Sequence, residues 1–251
     1  MNELNPRLKF LEKNWKKLKR LHPISIDLTK IALIREQSIE FLSDPDHLKL
    51  LILELGLTDD SAEEFPPSVY PYCGQGLHIM QYPIQFNQYL ADLSKLKIRS
   101  YLEVGVRHGG TFVTTIEYLN KFHPLAFAVG VDIMPCPTIA EYKKINPQVE
   151  FVKLNTQSDQ FLDFLGTYAQ FDLVMIDANH EETECRNEFV AIKNKANIVV
   201  FHDIDNIDFL GVKEVWTEVK NSNEYDCYEY IEQYPGLGPY MGIGMAIRKH
   251  W

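Results

Sequence analysis

From residue 84 onward the chain alternates short apolar runs with amphipathic stretches, and this alternation limits the folds open to it. A helix expected over about 84–97 leads into strand 100–105, helix 111–121, strand 126–132, helix 138–145, strand 149–154 and helix 158–168. Strand 171–177, helix 181–194, strand 197–202 and helix 210–221 follow. Strand candidates such as FAVGVDI and NIVVFHD are continuous apolar runs with no polar face, as expected of strands covered on both sides in a parallel sheet. The last two, YDCYEYIE and GIGMAIRK, are separated by the turn-rich QYPGLGPYM and should close the sheet as an antiparallel pair. The predicted architecture is α/β, a doubly wound seven-stranded sheet, mostly parallel with an antiparallel closing strand. Ligands of such sheets sit beyond the carboxyl ends of the strands.

Residues 1–80 read differently and are expected to form an N-terminal helical extension with a cover segment, leaving 81–251 as the catalytic domain. Leu4, Leu8, Leu11, Trp15 and Leu18 share one face of a helix whose other positions are rich in lysine. Such a basic amphipathic helix packs on its own domain or on a second subunit more often than on a membrane, so a homodimer through the N-terminal helices is expected. Two more helices are predicted, Leu28 to Leu42 and DPDHLKLLILELGL, where Asp44 and Pro45 mark a start and Gly56 a stop. The stretch EEFPPSVYPYCGQGLHIMQYP, 63–83, is too rich in proline, glycine and tyrosine for a regular element; it is a linker or a cover over the site.

The net charge is −10, and residues 1–20 hold seven Lys or Arg against two Glu, a balance of +5 that leaves −15 for the remainder. So acidic a body argues against nucleic acid as partner, because phosphate contacts need basic surface. Apolar runs such as LLIL and IVVF are too short to cross a bilayer, and no signal peptide is legible, so no membrane partner and a cytoplasmic location are expected. Cys73, Cys136, Cys185 and Cys227 are widely spaced with no CxxC pair, which fits free thiols in a reducing compartment.

The stretch YLEVGVRHGGTF, 101–112, is the first strand and its loop. A dinucleotide site would want G-x-G-x-x-G, yet the spaced positions here are Gly105, Arg107 and Gly110, and Glu103 would set a negative charge near phosphates. Both features count against NAD and a dehydrogenase. A cofactor carrying an ammonium and a sulfonium reverses the sign: Glu103 then attracts it, and Asp132, ending FAVGVDI, is placed to take ribose hydroxyls. Acids at consecutive strand ends favour S-adenosyl-L-methionine, although each alone is more often a loop starter or helix cap.

YLEVGVRHGGTF, FAVGVDI, VEFVKLNTQSDQF, FDLVMIDANHEE and NIVVFHDID occur in an order that resembles class I S-adenosylmethionine-dependent methyltransferases over about 81–251. The likeness is to the metal-dependent small-molecule O-methyltransferase and cephalosporin-hydroxylase-like branch, and it implies a Rossmann-like methyltransferase fold. It also implies that Glu103, Gly105 and Gly109 line the methionine part, Asp132 holds the ribose, and Thr156, Gln157 and Ser158 border the adenine. Arg107 on the same loop is a candidate for the cofactor's carboxylate.

Asp177 and His180 follow the fourth strand, and His202 and Asp203 end the fifth, so acids and imidazoles are expected to converge at one edge of the cleft. Two bare carboxylates side by side are costly to bury, and a divalent cation, Mg²⁺ or Mn²⁺, removes that cost. The resembled enzymes place a cation at the positions of Asp177, His202 and Asp203. The histidine at 202 departs from their oxygen donors: it either ligates, shifting preference toward Mn²⁺ or Fe²⁺, or hydrogen-bonds beside a weakened site. The alternative for the two acids is helix capping. Asp177 also borders the cofactor in this reading. By the same resemblance His180 is the general base, and Tyr240 is expected to line the acceptor pocket. The predicted activity is cation-assisted methyl transfer to a hydroxyl of a small molecule, a sugar, phenol or polyketide-like metabolite. The competing reading is a cephalosporin-hydroxylase-like or non-catalytic cofactor-binding protein on the same fold. No N/D-P-P-Y/F tetrapeptide of the nucleic-acid methyltransferase type follows the fourth strand, where DANH stands.

Overall fold

The structure is a computed structural model, and it describes residues 26–60 and 62–249. The basic amphipathic stretch at 4–18, and the dimer expected through it, lie outside the described residues. Seven strands form one sheet: β1 (Ser100–Val104), β2 (Phe127–Asp132), β3 (Val149–Lys153), β4 (Phe171–Ile176), β5 (Ala196–His202), β6 (Tyr225–Tyr230) and β7 (Ile243–Arg248). Their order is β3-β2-β1-β4-β5-β7-β6. The first five pair in parallel, and β7 runs against both its neighbours. The predicted doubly wound sheet with its antiparallel closing strand is what forms. The strand order reverses at β1, whose neighbours β2 and β4 leave it in opposite directions, and the crevice there is where a ligand is expected.

The helices in chain order are α1 (Ala32–Arg35), α2 (Ile39–Leu42), α3 (Pro45–Leu55), α4 (Pro83–Leu93), α5 (Gly110–Phe122), α6 (Pro137–Ile145), α7 (Asp159–Gly166), α8 (Glu182–Ile192) and α9 (Leu210–Asn221). The single helix expected from Leu28 to Leu42 is instead a 3₁₀ turn, Leu28–Ile31, followed by α1 and α2. Ser38 causes the break: its hydroxyl accepts the Phe41 amide at 3.2 Å and starts a new helix, while extended backbone at Ser38 ends the old one. Asp44 and Pro45 do start α3, with the Asp44 carboxylate accepting from the Asp46 amide at 2.8 Å.

Alternate residues of each strand enter two cores. Tyr101, Leu173, Met175, Ile198 and Val200 face α4, α5, α6 and the segment 26–57, whereas Leu102, Val104, Val174, Val199 and Phe201 face α7, α8 and α9. The N-terminal segment therefore shares the hydrophobic core of the sheet's first face. A buried carboxylate secures it: Glu117 of α5 accepts two hydrogen bonds from the Arg35 guanidinium, 2.6 and 2.7 Å, and a third from Tyr142. After α3 the chain passes through bridges of Leu57 to Cys73 and Ile79 and short 3₁₀ turns at Ala62–Glu64 and Tyr70–Tyr72. Gly110, the first residue of α5, lets this irregular segment close over the sheet, because a Cβ there would stand 2.1 Å from the Leu77 carbonyl oxygen. No helix among the described residues is long and apolar enough to cross a membrane. The four cysteines are free thiols.

Candidate active site

The loops that follow the strands at the reversal point surround a cavity of about 820 Å³, within the range of sites for small ligands. Its floor is set by a close approach of two backbones. Gly105 adopts φ +92°, and a Cβ on it would lie 2.1 Å from the Asp177 carbonyl oxygen, so the loops after β1 and β4 touch through backbone alone. The next turn carries Arg107 at φ +46°, and this aims its amide at Asp132, 2.8 Å from Oδ2. The Met134 amide donates to the other oxygen at 2.8 Å. Asp132 is thus held between two backbone donors at the end of β2, with its outward lone pairs facing the cavity.

Glu103 is the buried acid of the site. It lies on the same strand face as Tyr101, two residues earlier, whose hydroxyl donates to its carboxylate. Burial is the main force on this group and pushes its pKa up to about 8; the Tyr101 hydrogen bond opposes the rise, and the nearby Asp177 charge adds to it. A carboxyl so placed is largely protonated at neutral pH until a cation arrives to share its pocket.

Four side chains converge beside it. His180 Nε2 lies 2.9 Å from Asp203 Oδ2 and 3.5 Å from Asp177 Oδ1. His202 Nδ1 lies 3.1 Å from Asp177 Oδ1 and 3.2 Å from Asp203 Oδ2. One donor atom from each residue falls within 4.8 Å of all the others. The contacts are close but poorly aimed as hydrogen bonds: both buried ring nitrogens of His202, and Nε2 of His180, meet no hydrogen-bond geometry. Buried imidazole nitrogens left without a hydrogen bond are rare in a finished structure, and donor atoms gathered this closely can serve a common cation. The donor set of two carboxylates and two imidazoles fits a divalent cation, and its nitrogens suit the first-row transition metals.

Without a cation the four charges hold one another. Burial disfavours charge on His180, but the close carboxylates of Asp177 and Asp203 outweigh it and carry the ring to about 9; His202 is raised by the same pair against burial. Both carboxylates are correspondingly held down by the imidazoles despite their burial. His180 is further fixed by stacking on Phe209, ring centroids 4.1 Å apart. Asp203 sits at φ +62°, a left-handed conformation that turns the chain sharply out of β5 and puts its carboxylate toward β4.

Of the residues expected from the sequence, Glu103, Gly105, Arg107, Asp132, Thr156, Asp177, His180, His202, Asp203 and Tyr240 all line the cavity. Gly109, Gln157 and Ser158 do not. Gly109 starts α5 in a left-handed turn and packs on Thr138. Gln157 turns away to the Glu184 carbonyl and the buried Glu188, and the Ser158 hydroxyl closes on the Asn155 carbonyl at 2.6 Å. The Arg107 guanidinium is engaged by Asp60, which does not line the cavity. Residues that the sequence reading passed over are Glu63, Glu64 and Met80 from the cover segment, and Asp208 and Phe209 after β5. The tyrosine- and proline-rich composition of 63–83 was the one signal for the first group; nothing in the local pattern marked the second.

No family model matches the chain, and no curated protein matches it. Solved structures do resemble it at low identity. An O-methyltransferase from Bacillus cereus in complex with SAH aligns with 85% of this chain and 93% of its own, at 15% identity and a TM-score of 0.49. The O-methyltransferase TomG from Streptomyces achromogenes, in complex with SAM, aligns with 68% of this chain and 81% of its own, at 18% identity and 0.48. The MycE methyltransferase of the mycinamycin pathway, in complex with Mg and SAH, aligns with 65% of this chain and 48% of its own, at 17% identity and 0.43.

Proposed function

We propose that the protein is an S-adenosylmethionine-dependent O-methyltransferase acting on a hydroxyl of a small molecule, with a divalent cation held by the Asp–His cluster. One observation carries the reading: Glu103 and Asp132 end adjacent parallel strands and open into one cavity, immediately beside the four convergent ligands. The cofactor supplies an electrophilic methyl group on a sulfonium. Glu103 receives its ammonium, and the buried carboxyl gives up its proton as that charge arrives. Asp132, oriented by the Arg107 and Met134 amides, accepts the ribose hydroxyls. Ile133 and Met134, exposed yet lining the cavity, supply apolar surface for the adenine.

Asp177, His202 and Asp203 would hold the cation, which would supply Lewis acidity to lower the pKa of the acceptor hydroxyl. A cation on Asp177 and Asp203 would take over the negative charge that holds the His180 ring protonated, and Nε2, positioned by the stacked Phe209 ring, would then accept the hydroxyl proton as the oxygen attacks the methyl carbon. Tyr240 and the cover segment keep water from the acceptor. Calorimetric titration with S-adenosylhomocysteine tests the assignment: binding competed by S-adenosylmethionine supports it, and no heat with either removes it.

The cluster itself favours one other reading. Two histidines with a carboxylate form the donor set of non-haem iron oxygenases, so a cephalosporin-hydroxylase-like protein is the alternative. Stoichiometric iron in the purified protein together with consumption of oxygen would select it.

A further inference from the structure

α8 buries three side chains, Cys185, Glu188 and Ile192, and the middle one is an acid. Glu188 has no exposed surface, and burial pushes its pKa up to about 7 against hydrogen bonds from Thr156 and Gln157. Its Oε2 is buried and meets no donor in hydrogen-bond geometry. An apolar side chain would sit here at less cost, since a buried carboxyl has to be supplied with partners. The side-chain partners that Glu188 does have come from a single loop, the one after β3, and nothing in the proposed methyl transfer uses them.

Neighbouring groups fix the polarity of the contact. Gln157 Nε2 lies 3.2 Å from the Glu184 carbonyl, which can only accept, so the amide nitrogen is the end turned onto α8. Asn187 Nδ2 donates to the other end, Gln157 Oε1, at 3.2 Å. The same Gln157 Nε2 donates to Glu188 Oε1 at 3.3 Å, which makes that oxygen an acceptor whether or not Oε2 carries a proton. The Thr156 hydroxyl, 2.5 Å from Glu188 Oε1, therefore gives its only hydrogen to that oxygen. Gln157 Nε2 reaches Thr156 Oγ1 only weakly, at 3.5 Å, so the hydroxyl keeps the capacity to accept and has no hydrogen left to offer. Thr156 lines the cavity, half-buried, and a ligand that pairs with this hydroxyl has to bring the hydrogen itself.

We propose that Glu188 is a positioning residue: by taking the Thr156 hydrogen it turns that hydroxyl into an acceptor, and so selects a methyl donor whose purine carries an exocyclic amine over one whose purine carries an oxo group. The proposal rests on the transferase reading and adds selection of the base to it. On that reading Asp132 takes the ribose, and the Leu154 amide donates to the Asp132 carbonyl at 2.8 Å, so the loop that carries Thr156 leaves β3 beside Asp132. An amine brought to Thr156 completes a hydrogen bond. A carbonyl there sets lone pair against lone pair, and a site built around a hydrogen bond rejects a ligand that cannot make it.

Calorimetric titration of the full chain with S-adenosylhomocysteine and with S-inosylhomocysteine, which differ only in the 6-amino or 6-oxo group of the purine, tests the proposal. The wild-type protein is expected to prefer the amine by about tenfold or more. Glu188→Leu frees the Thr156 hydrogen to turn toward the cavity and should bring the preference below about threefold. Glu188→Gln keeps a carbonyl oxygen for Thr156 and should retain it. A merely structural loss would weaken both ligands alike and leave their ratio where it was, so a preference that survives in Glu188→Leu overturns the proposal. Equal loss in the Leu and Gln variants also overturns it, because the acceptor oxygen would then not be what matters. If Glu188→Leu fails to fold, Thr156→Val decides: the preference should be lost there too, and its survival overturns the proposal. Failure of S-adenosylhomocysteine to bind the wild-type protein sinks the transferase reading, whereas equal binding of the two ligands sinks this proposal alone.

Discussion

Asp60 and Arg107 meet across the join between the N-terminal segment and the loop after β1: Nε and Nη2 of the guanidinium donate to the same carboxylate oxygen, at 3.0 and 2.7 Å. His108 Nε2 approaches that oxygen to 3.1 Å. Arg107 is also the residue whose amide orients Asp132, so one side chain from outside the sheet domain steadies the turn that presents Asp132 to the cavity. Burial of Asp60 opposes its charge, but His108 and Arg107 more than offset that and hold its pKa low.

Replacing Asp60 by Asn should therefore weaken cofactor binding more than it weakens the fold. The Arg107 side chain is 58% exposed, so water screens the ion pair and the stability loss should stay near or below about 1 kcal/mol. The dissociation constant for S-adenosylhomocysteine should rise roughly three- to tenfold, the scale of one misplaced contact. A change under twofold would mean that the segment has no hold on the loop.

Glu103→Gln should separate stability from binding. In the folded protein the Glu103 pKa is raised from 4.5 to about 8, above its unfolded value. Its contribution to stability is therefore complete in acid and is lost as pH climbs from about 4.5 toward 8. At neutral pH the unfolded chain has released a proton that the folded chain retains, a cost on the order of 3 kcal/mol. The glutamine variant should melt higher than wild type at pH 7.5, with the two converging near pH 4.5. Its affinity for S-adenosylhomocysteine should fall about a hundredfold, the loss of a buried charged hydrogen bond.

The same carboxyl makes wild-type binding depend on pH. Because the ionised form receives the ammonium, affinity should rise by up to about tenfold per pH unit below 8 and then level off. Titrations in buffers of different ionisation enthalpy should show a proton leaving on binding. A flat profile in the wild-type protein would show that Glu103 does not meet the ligand's charge.

His202 is expected to set which cation the cluster prefers. Its buried nitrogens favour Mn²⁺ over Mg²⁺, so His202→Glu, which replaces an imidazole with oxygen donors, should lower the ratio of Mn²⁺ to Mg²⁺ affinity by about tenfold or more. Asp203→Asn should weaken both ions. Paramagnetic resonance of free Mn²⁺, with Mg²⁺ as competitor, reads both outcomes without any need for turnover.

Gly110→Ala should unseat the cover segment. The added Cβ would stand 2.1 Å from the Leu77 carbonyl, and neither the helix start nor the buried Leu77 can give way freely. A destabilisation of about 2–4 kcal/mol is expected, and a melting temperature lower by roughly 5–15 °C. Unchanged melting would show that the segment adjusts without cost.

The inner strands β1, β2, β4, β5 and β7 were legible because each is sandwiched between two layers and carries apolar residues on both faces, unlike the edge strands β3 and β6; FAVGVDI and NIVVFHD admit little else. The acids at their ends were legible for the same reason, since Glu103, Asp132, Asp177 and Asp203 interrupt or terminate apolar runs at the edge where a parallel sheet gathers its ligands. Side-chain direction was less legible. Gln157 follows β3 in the expected loop, yet its amide finds the Glu184 carbonyl on α8, a partner distant in sequence. Asp60, Glu63 and Phe209 lie on irregular backbone whose course depends on what it packs against, and no periodicity announces such contacts. The break between α1 and α2 was in principle readable, because Ser38 is a good capping residue, but it competes with an apolar pattern that continues across it.

The seating of Leu77 on Gly110 divides the labour of the molecule between two stretches of sequence. The loops after the strands hold Glu103, Asp132 and the Asp–His cluster, whereas Glu63, Glu64 and Met80 reach the same cavity from an anchored strap that precedes the first strand. On the proposed reading, substitutions in that strap would reshape the cavity wall without touching Glu103 or Asp132. A lineage built on this plan can diversify its chemistry by drift in a short upstream stretch, and swapping that stretch between relatives is the natural route to altered selectivity.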